Sequence, residues 1–258
     1  MSEAVFVVDG PTARATARAA GPWNPGLMHG GAPSALIAWA AEQVETPAPM
    51  QVARLTIDLL RPVPVGALTV ETEVLRQGRK IQLVQVRLLA GGVEVTRGAV
   101  LKVRRAELDL PAEVGAPALD HPRPEDLPEP PPFNGPNAFG SCFEIRSAFG
   151  GFGHLGPSAS WFRVTAPMIA GQANSPAMRA AAIADFTNGI SSVLPFERWT
   201  YINGDLTVSL SRPPQGEWIL SNAESWISPE GVGLATTRLA DVCGYFGRAV
   251  QTLVVEAR

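Results

Sequence analysis

The chain has 258 residues and a formal net charge of −3, with 46% hydrophobic and 17% charged residues. This composition is typical of a globular protein of one or two domains, and the acidic balance argues against a nucleic-acid partner, which would require a basic surface. Cys142 and Cys243 are too few for a disulfide framework and lack metal-ligand spacing, so we expect a cytoplasmic protein without a metal. The N-terminus does not have the pattern of a signal peptide, and we expect no association with a membrane.

The first half is predicted to contain one helix and a strand meander. Short strands are expected at residues 4–9 and 12–17, and apolar residues at helical spacing predict a helix over residues 32–44. Alternating apolar and polar residues then predict four strands, at residues 52–60, 67–77, 80–90 and 93–104. A helix followed by an antiparallel meander forms an α+β unit, in which the sheet buries the apolar sides of the helix.

A linker and a second unit follow. Residues 106–137 are rich in proline and acidic residues, which predicts an extended, solvated linker between domains of residues 1–105 and 138–258. The second half repeats the plan of the first. Its predicted strands and helix are strands 139–146 and 160–165, helix 178–193, and strands 206–211, 218–227, 233–242 and 245–255.

The two halves also share sequence. Residues 55–62 are LTIDLLRP and residues 206–213 are LTVSLSRP, and each string is followed by a glycine turn and an alternating run that ends with an Ala-Val pair. The same elements in the same order indicate a duplicated unit, with the halves packed as a pseudo-dimer. Differences at matched positions then indicate which half carries the chemistry.

Several strings at this spacing resemble those of the double-hotdog acyl-CoA thioesterases of the thioesterase II type. They are His29-Gly30-Gly31, the two Arg-Pro pairs at residues 61–62 and 212–213, Trp161-Phe162-Arg163, Ala184-Asp185-Phe186 and Ala249-Val250-Gln251. The resemblance implies an α+β tandem hotdog, with two antiparallel sheets each wrapped around a central helix. It also implies a cofactor-free hydrolase of acyl-CoA thioesters in lipid metabolism, assembled as a homo-oligomer, a dimer of double hotdogs.

The resemblance assigns Asp185 as the base that activates water and Gln251 as the amide that holds the water. Asp185 lies in an apolar helical stretch that would desolvate its carboxylate and strengthen it as a base. The alternatives are an aspartate on the wet face of the helix and an outward-facing strand glutamine. By the repeat, Asp185 matches Ala35 or Ala38, and Gln251 matches Leu101. The first half therefore lacks both groups.

A third polar residue departs from the family pattern. The family usually has Thr or Ser just before the strand that ends in Arg-Pro, and here that position holds Asn203. Asparagine can orient a water, but Asn203-Gly204 is also a common turn dipeptide. Thr207 or Ser209 are alternatives for the same role.

His29, Gly30 and Gly31 are predicted to bind the thioester carbonyl. Two glycines at a helix start leave backbone N–H groups open at the positive end of the helix dipole. A histidine that only caps the helix is the alternative for His29. Because the second half lacks this glycine pair, we expect one active site per chain.

Two other motifs are weaker. Residues 151–156, GFGHLG, match a dinucleotide-binding pattern, but a proline and a strand follow where a helix is needed. Residues 156–160 lack the second glycine of a nucleophile elbow. The remaining alternatives are a non-catalytic acyl-CoA-binding protein and a hotdog enoyl-CoA hydratase, which would need a paired Asp and His on one short loop.

Overall fold

The computed structural model describes residues 3–111, 114–130 and 138–258, so residues 112–113 and 131–137 of the predicted linker lie outside the described residues. The first half has the predicted helix and strands. They are β1 (Phe6–Asp9), β2 (Thr12–Ala15), α1 (Gly31–Gln43), β3 (Met50–Asp58), β4 (Ala67–Gln77), β5 (Ile81–Ala90) and β6 (Val93–Arg104).

The second half departs from prediction at two places. Its elements are β7 (Phe143–Phe149), β8 (Ser158–Val164), α2 (Pro176–Ala184), α3 (Thr187–Ile190), β9 (Trp199–Asn203), β10 (Asp205–Leu210), β11 (Trp218–Ile227), β12 (Val232–Asp241) and β13 (Gly244–Ala257). The single helix predicted over residues 178–193 is wrong, because the helical ladder breaks at Asp185 and Phe186. Strand β9 was not predicted, since the Asn-Gly pair at its end suggested a turn.

The strands form one sheet, where two separate sheets were expected. Its order is β1-β2-β4-β5-β6-β3-β10-β13-β12-β11-β8-β7, with β9 pairing to β13. The halves join where β3 pairs with β10 in antiparallel register, with Ile57 opposite Leu206 and Leu55 opposite Val208. These are the duplicated LTI and LTV strings, so matched strands of the two halves pair with each other. The pairing satisfies both strand edges, which explains why the sheets merge.

The two long helices lie side by side and antiparallel on the sheet. Helix α1 packs on β3 to β6, and α2 packs on β10 to β12. The start of α1 meets the end of α2, where a Cβ atom at Gly31 would lie only 2.7 Å from the carbonyl oxygen of Ala182. Glycine at this position therefore allows the close helix approach that brings parts of both halves together.

Part of the predicted solvated linker is docked on the second half. Trp161 Nε1 donates to the carbonyl of Pro122 at 2.9 Å, and the Arg146 guanidinium donates to the carbonyl of Pro124 at 2.9 Å. The expectation of a solvated strap is wrong for this stretch, because side chains of the sheet bind its backbone carbonyls. The glycine-rich residues 150–156 form the β7–β8 connection, as expected of a turn. Among the described residues, no helix is long and apolar enough to cross a membrane.

Candidate active site

Asp185 lies at the junction between α2 and α3 and is its structural centre. It is the C-cap of α2, and its side chain is 3% exposed. The chain turns more tightly here, because the Phe186 N–H donates to the carbonyl of Ile183 at 3.0 Å. The Thr187 hydroxyl donates to the carbonyl of Ala184 at 2.7 Å and so satisfies a carbonyl at the helix end. The break holds the Asp185 carboxylate inside the protein, and the alternative of a wet helix face is wrong.

Three predicted site residues contact the Asp185 carboxylate. Asn203 Nδ2 donates to Oδ1 at 2.9 Å, and Gln251 Nε2 donates to Oδ1 and to the backbone carbonyl of Asp185, both at 3.3 Å. His29 Nδ1 lies 2.8 Å from Oδ2. His29 belongs to the first half and the other residues belong to the second. The site is therefore assembled from both halves.

Asn203 is the last residue of β9, opposite Leu253 of β13. The strand stops at Gly204, so the turn expected at the Asn-Gly pair is a break between two strands, and the amide points to Asp185. Thr207 and Ser209 lie on the solvent face of β10, since the alternating residues Leu206 and Val208 are fully buried. Neither hydroxyl residue takes the place of Asn203.

Gln251 is completely buried, which excludes the outward-facing alternative. Its Oε1 accepts a hydrogen bond from the backbone N–H of Asn188 at 3.2 Å, while its amide nitrogen faces Asp185. The contact with the Asn188 N–H fixes which end of the Gln251 amide meets the carboxylate. Asn188 was missed by sequence reasoning because it donates through its backbone, which leaves no residue signal.

His29 is enclosed by aromatic rings. Its ring centroid lies 5.0 Å from that of Phe139 and 4.4 Å from that of Phe186, and the side chain is 10% exposed. The Gly31 N–H lies 3.1 Å from His29 Nδ1, but that nitrogen also lies 2.8 Å from the Asp185 carboxylate and must carry a proton to donate to it. The expectation that the amides of Gly30 and Gly31 serve a ligand stays a prediction.

Gly30 lies directly against the carboxylate. A Cβ atom there would be 2.8 Å from both carboxylate oxygens of Asp185, so only glycine fits without displacing them. The Gly30 N–H has no hydrogen-bond acceptor among the described residues. The positive end of the α1 dipole also faces the Asp185 carboxylate, which favours negative charge at this place.

The site joins a buried carboxylate to three side-chain donors. One carboxylate oxygen is held by two amides and the other by an imidazole, and each donor comes from a different element. Such a carboxylate can accept a proton while its position stays fixed. Among the described residues, no group of three or more His, Cys, Asp or Glu side chains could hold a metal ion.

The strand register corrects the expected match between the halves. The cross-strand pair Asp58–Arg97 of the first half corresponds to Ser209–Arg248 of the second. Gln251 then matches Val100 and not Leu101, which agrees with the full burial of Gln251 and Val100. In the same register, Asn203 matches Val52.

The match of Asp185 with Ala35 or Ala38 stays a prediction. Both alanines are fully buried in α1, and the carboxylate that meets the start of α2 comes from another residue. That residue is Glu42, which accepts a hydrogen bond from the hydroxyl of Ser175 at the N-cap of α2. The first half therefore carries a carboxylate where the end of α1 meets the start of α2.

Comparisons with known proteins agree with this architecture. Residues 19–103 match the family model of the acyl-CoA thioesterase N-terminal domain, and residues 119–255 match that of the C-terminal domain. A search of curated proteins finds no significant match.

Solved structures show the same fold over nearly the whole chain. A conserved hot dog fold protein of unknown function from Alicyclobacillus acidocaldarius is 18% identical, with a TM-score of 0.76 over 98% of this chain and 96% of that one. A putative thioesterase from Novosphingobium aromaticivorans DSM 12444 is 23% identical, with a TM-score of 0.72 over 98% and 99%. The acyl-CoA thioesterase II TesB2 from Mycobacterium marinum is 18% identical, with a TM-score of 0.69 over 97% and 95%. With both family models matched in order along one chain, the protein is a thioesterase and belongs to the acyl-CoA thioesterase family.

Proposed function

We propose that the protein hydrolyses acyl-CoA thioesters with a water molecule that Asp185 activates. The observation that carries this proposal is the Asp185 carboxylate itself, 3% exposed and held by Asn203, Gln251 and His29. A carboxylate fixed inside an apolar environment is a suitable general base, since it is poorly solvated and already oriented. The family supplies the substrate class.

The proposed reaction needs no covalent intermediate. Asp185 takes a proton from water while the water oxygen attacks the thioester carbonyl, which forms a tetrahedral oxyanion. The oxyanion collapses, the carbon–sulfur bond breaks, and the proton on Asp185 passes to the departing CoA thiolate. The products are the free acid and CoA, and the carboxylate returns to its starting state.

The Gly30 N–H is the proposed donor to the oxyanion. It has no acceptor among the described residues and lies at the start of α1, where the helix dipole stabilises negative charge. His29 is proposed as a positioning residue, because two phenylalanine rings pack against its ring and its Nδ1 is directed at Asp185. Gly31 is proposed to act through helix packing.

The amides of Asn203 and Gln251 are proposed to hold Asp185 and the water. An amide donates a hydrogen bond without competing for the proton that the base must take. Both amides meet Oδ1 of Asp185 and His29 meets Oδ2. Oδ2 has the smaller number of donors and is proposed to receive the proton on its remaining lone pair.

We also infer that the enzyme acts in the cytoplasm and forms a homo-oligomer. Both cysteines are free, and the solvent face of the second half exposes Trp226, Val232 and Val254. Large apolar residues on one sheet face suit contact between subunits. Light scattering coupled to gel filtration tests this inference, and a mass equal to one chain at micromolar concentration would contradict it.

The proposed mechanism is tested with Asp185→Asn, which keeps the side-chain shape but removes the base. Release of free thiol from a panel of acyl-CoA substrates should fall by at least about 10²-fold, the usual scale for a positioned general base. Glu42→Gln is the matched control. It makes the same change from acid to amide where the end of α1 meets the start of α2, and it should leave turnover unchanged. Turnover like that of the wild type by folded Asp185→Asn protein would overturn the mechanism.

A further inference from the structure

Because the two halves are duplicated, the active site has an equivalent place at the opposite ends of the two helices. A groove lies at that place. The active site is formed where the start of α1 meets the end of α2. Where the end of α1 meets the start of α2, the surface opens into a groove of about 470 Å³. Val52, the match of Asn203, lines this groove, and so do residues 42–46 of the α1 end and Pro176 of α2. This groove, called the mate groove below, is therefore the equivalent of the catalytic centre in the duplicated fold.

The mate groove retains polar groups but lacks the water-holding amides. Val52 and Val100 stand where the active site has Asn203 and Gln251, so the two amides that hold Asp185 have no counterparts at the matched positions. Glu42 lies at the groove surface and accepts from the Ser175 hydroxyl. Apolar side chains complete the walls, among them Ala177 and Leu210. These features suit binding without hydrolysis.

Lys102 is the unusual residue of this groove. Its side chain is only 4% exposed, and its ammonium donates to the carbonyl of Val44 at 2.8 Å. An ammonium has three donors, and the described residues provide no carboxylate within ion-pair distance of this one. Burial lowers the pKa of Lys102, so its charge is poorly solvated, whereas the Glu42 side chain is exposed. The pair presents a donor and an acceptor to a ligand.

One end of the groove lies beside exposed cations. Arg105 lines the groove, and Lys80 and Arg104 are exposed next to it, with the Arg104 N–H donating to the carbonyl of Lys80 at 2.9 Å. None of these three cations forms an ion pair with a described residue. Within the groove, Glu42 and Glu45 balance Lys102 and Arg105, so the cationic excess comes from Lys80 and Arg104 beside it.

We propose that this groove binds a second acyl-CoA molecule and does not hydrolyse it. The phosphates of CoA suit Arg105 and the exposed Lys80 and Arg104 beside it, and the amides of the pantetheine arm match the donor of Lys102 and the acceptor of Glu42. The acyl end then meets the apolar wall. This inference rests on the proposed function for its ligand class, but it concerns a different cleft, so the two fail in different experiments.

The test counts bound ligand. S-hexyl-CoA, a thioether that cannot be hydrolysed, is titrated into the full chain by equilibrium dialysis, and two molecules should bind per chain. Lys102→Met keeps the side-chain length and removes the charge, and it should leave one bound molecule with an unchanged hydrolysis rate. Arg105→Glu, on the surface, should weaken the same binding event and gives a second variant that cannot disturb the core.

Three outcomes would overturn the inference. The first is one molecule of S-hexyl-CoA bound per wild-type chain. The second is two molecules bound per chain by both variants. The third is binding of hexanoate, but not of S-hexyl-CoA, at the groove. Each is distinct from failure of the proposed mechanism, which would appear as undiminished hydrolysis by Asp185→Asn. A chain that hydrolyses acyl-CoA yet binds a single thioether would refute only the second site.

Discussion

The active site and the mate groove occupy equivalent places in the two halves and differ in a few side chains. At the active site, a buried Asp185 is held by the amides of Asn203 and Gln251. At the mate groove, valines replace both amides, and Glu42 lies at the surface against a serine hydroxyl. A carboxylate near a helix start is thus common to both places. What distinguishes them is the set of donors that fixes the carboxylate.

After Asp185→Asn, the largest effect in this comparison is expected from a substitution at Gly30, which lies against the Asp185 carboxylate. In Gly30→Ala, the new Cβ would lie 2.8 Å from both oxygens of Asp185 and push the carboxylate aside. A displacement of about 1 Å can cost on the order of 10² in rate, so kcat should fall by about that factor. Steady-state kinetics and a crystal structure of the variant measure the rate and the displacement.

Gly31→Ala is the control for that variant. Its Cβ would lie 2.7 Å from the Ala182 carbonyl oxygen and from Phe139 Cε1, and 3.2 Å from His29 Nδ1, so the cost falls first on the packing of the helices and of Phe139 and does not reach the Asp185 carboxylate directly. We expect a loss of about 1–3 kcal/mol in the free energy of unfolding, measured by chemical denaturation, and a smaller change in kcat than for Gly30→Ala. Equal effects of the two substitutions on kcat would show that Gly30 has no special relation to Asp185.

Gln251→Ala sharpens the comparison at the strand. Removing the amide leaves Asp185 with one amide donor and should lower kcat by about 10-fold or more while KM changes little, because water positioning matters mainly in the transition state. Val100→Ala makes a similar cavity at the matched position of the first half and should reduce stability without changing kcat. A change in KM alone would reassign Gln251 to substrate contact.

The smallest effect is expected at Asn203. Asn203→Thr replaces the amide by the kind of side chain usual in the family, and a hydroxyl can still donate to Asp185. We expect this variant to retain more activity than Asn203→Ala, with both variants losing less than Gln251→Ala. Thiol release under identical conditions ranks the three. Equal activity of Asn203→Ala and wild type would remove Asn203 from the site.

Local patterns predicted most of the helices and strands but not how they join. The duplicated LTI and LTV strings indicated two similar halves, yet their pairing across β3 and β10 depends on which edges are left open. The linker was misjudged for a related reason. A proline-rich stretch has no hydrophobic period of its own, although its carbonyls can bind side chains such as Trp161.

The candidate site was predictable where residue type carries the chemistry. Asp185 and Gln251 were polar residues in apolar elements, and the structure places them together. Asn203 was ambiguous because the same dipeptide serves as a turn or as a strand break. Asn188 gave no signal, since it contributes a backbone N–H. Glu42 was missed because the comparison of the two halves led to Ala35 or Ala38 as the match of Asp185.

The central claim is that Asp185 activates water and does not attack the thioester itself. The direct test is a single turnover of acyl-CoA in ¹⁸O-labelled water with enzyme in excess, followed by mass spectrometry of the acid released. If water attacks the carbonyl, the acid carries one ¹⁸O atom from the first turnover. If Asp185 attacked, the intermediate would be an anhydride whose hydrolysis at the aspartyl carbon leaves the label on the protein. An unlabelled acid together with labelled Asp185 would contradict the account.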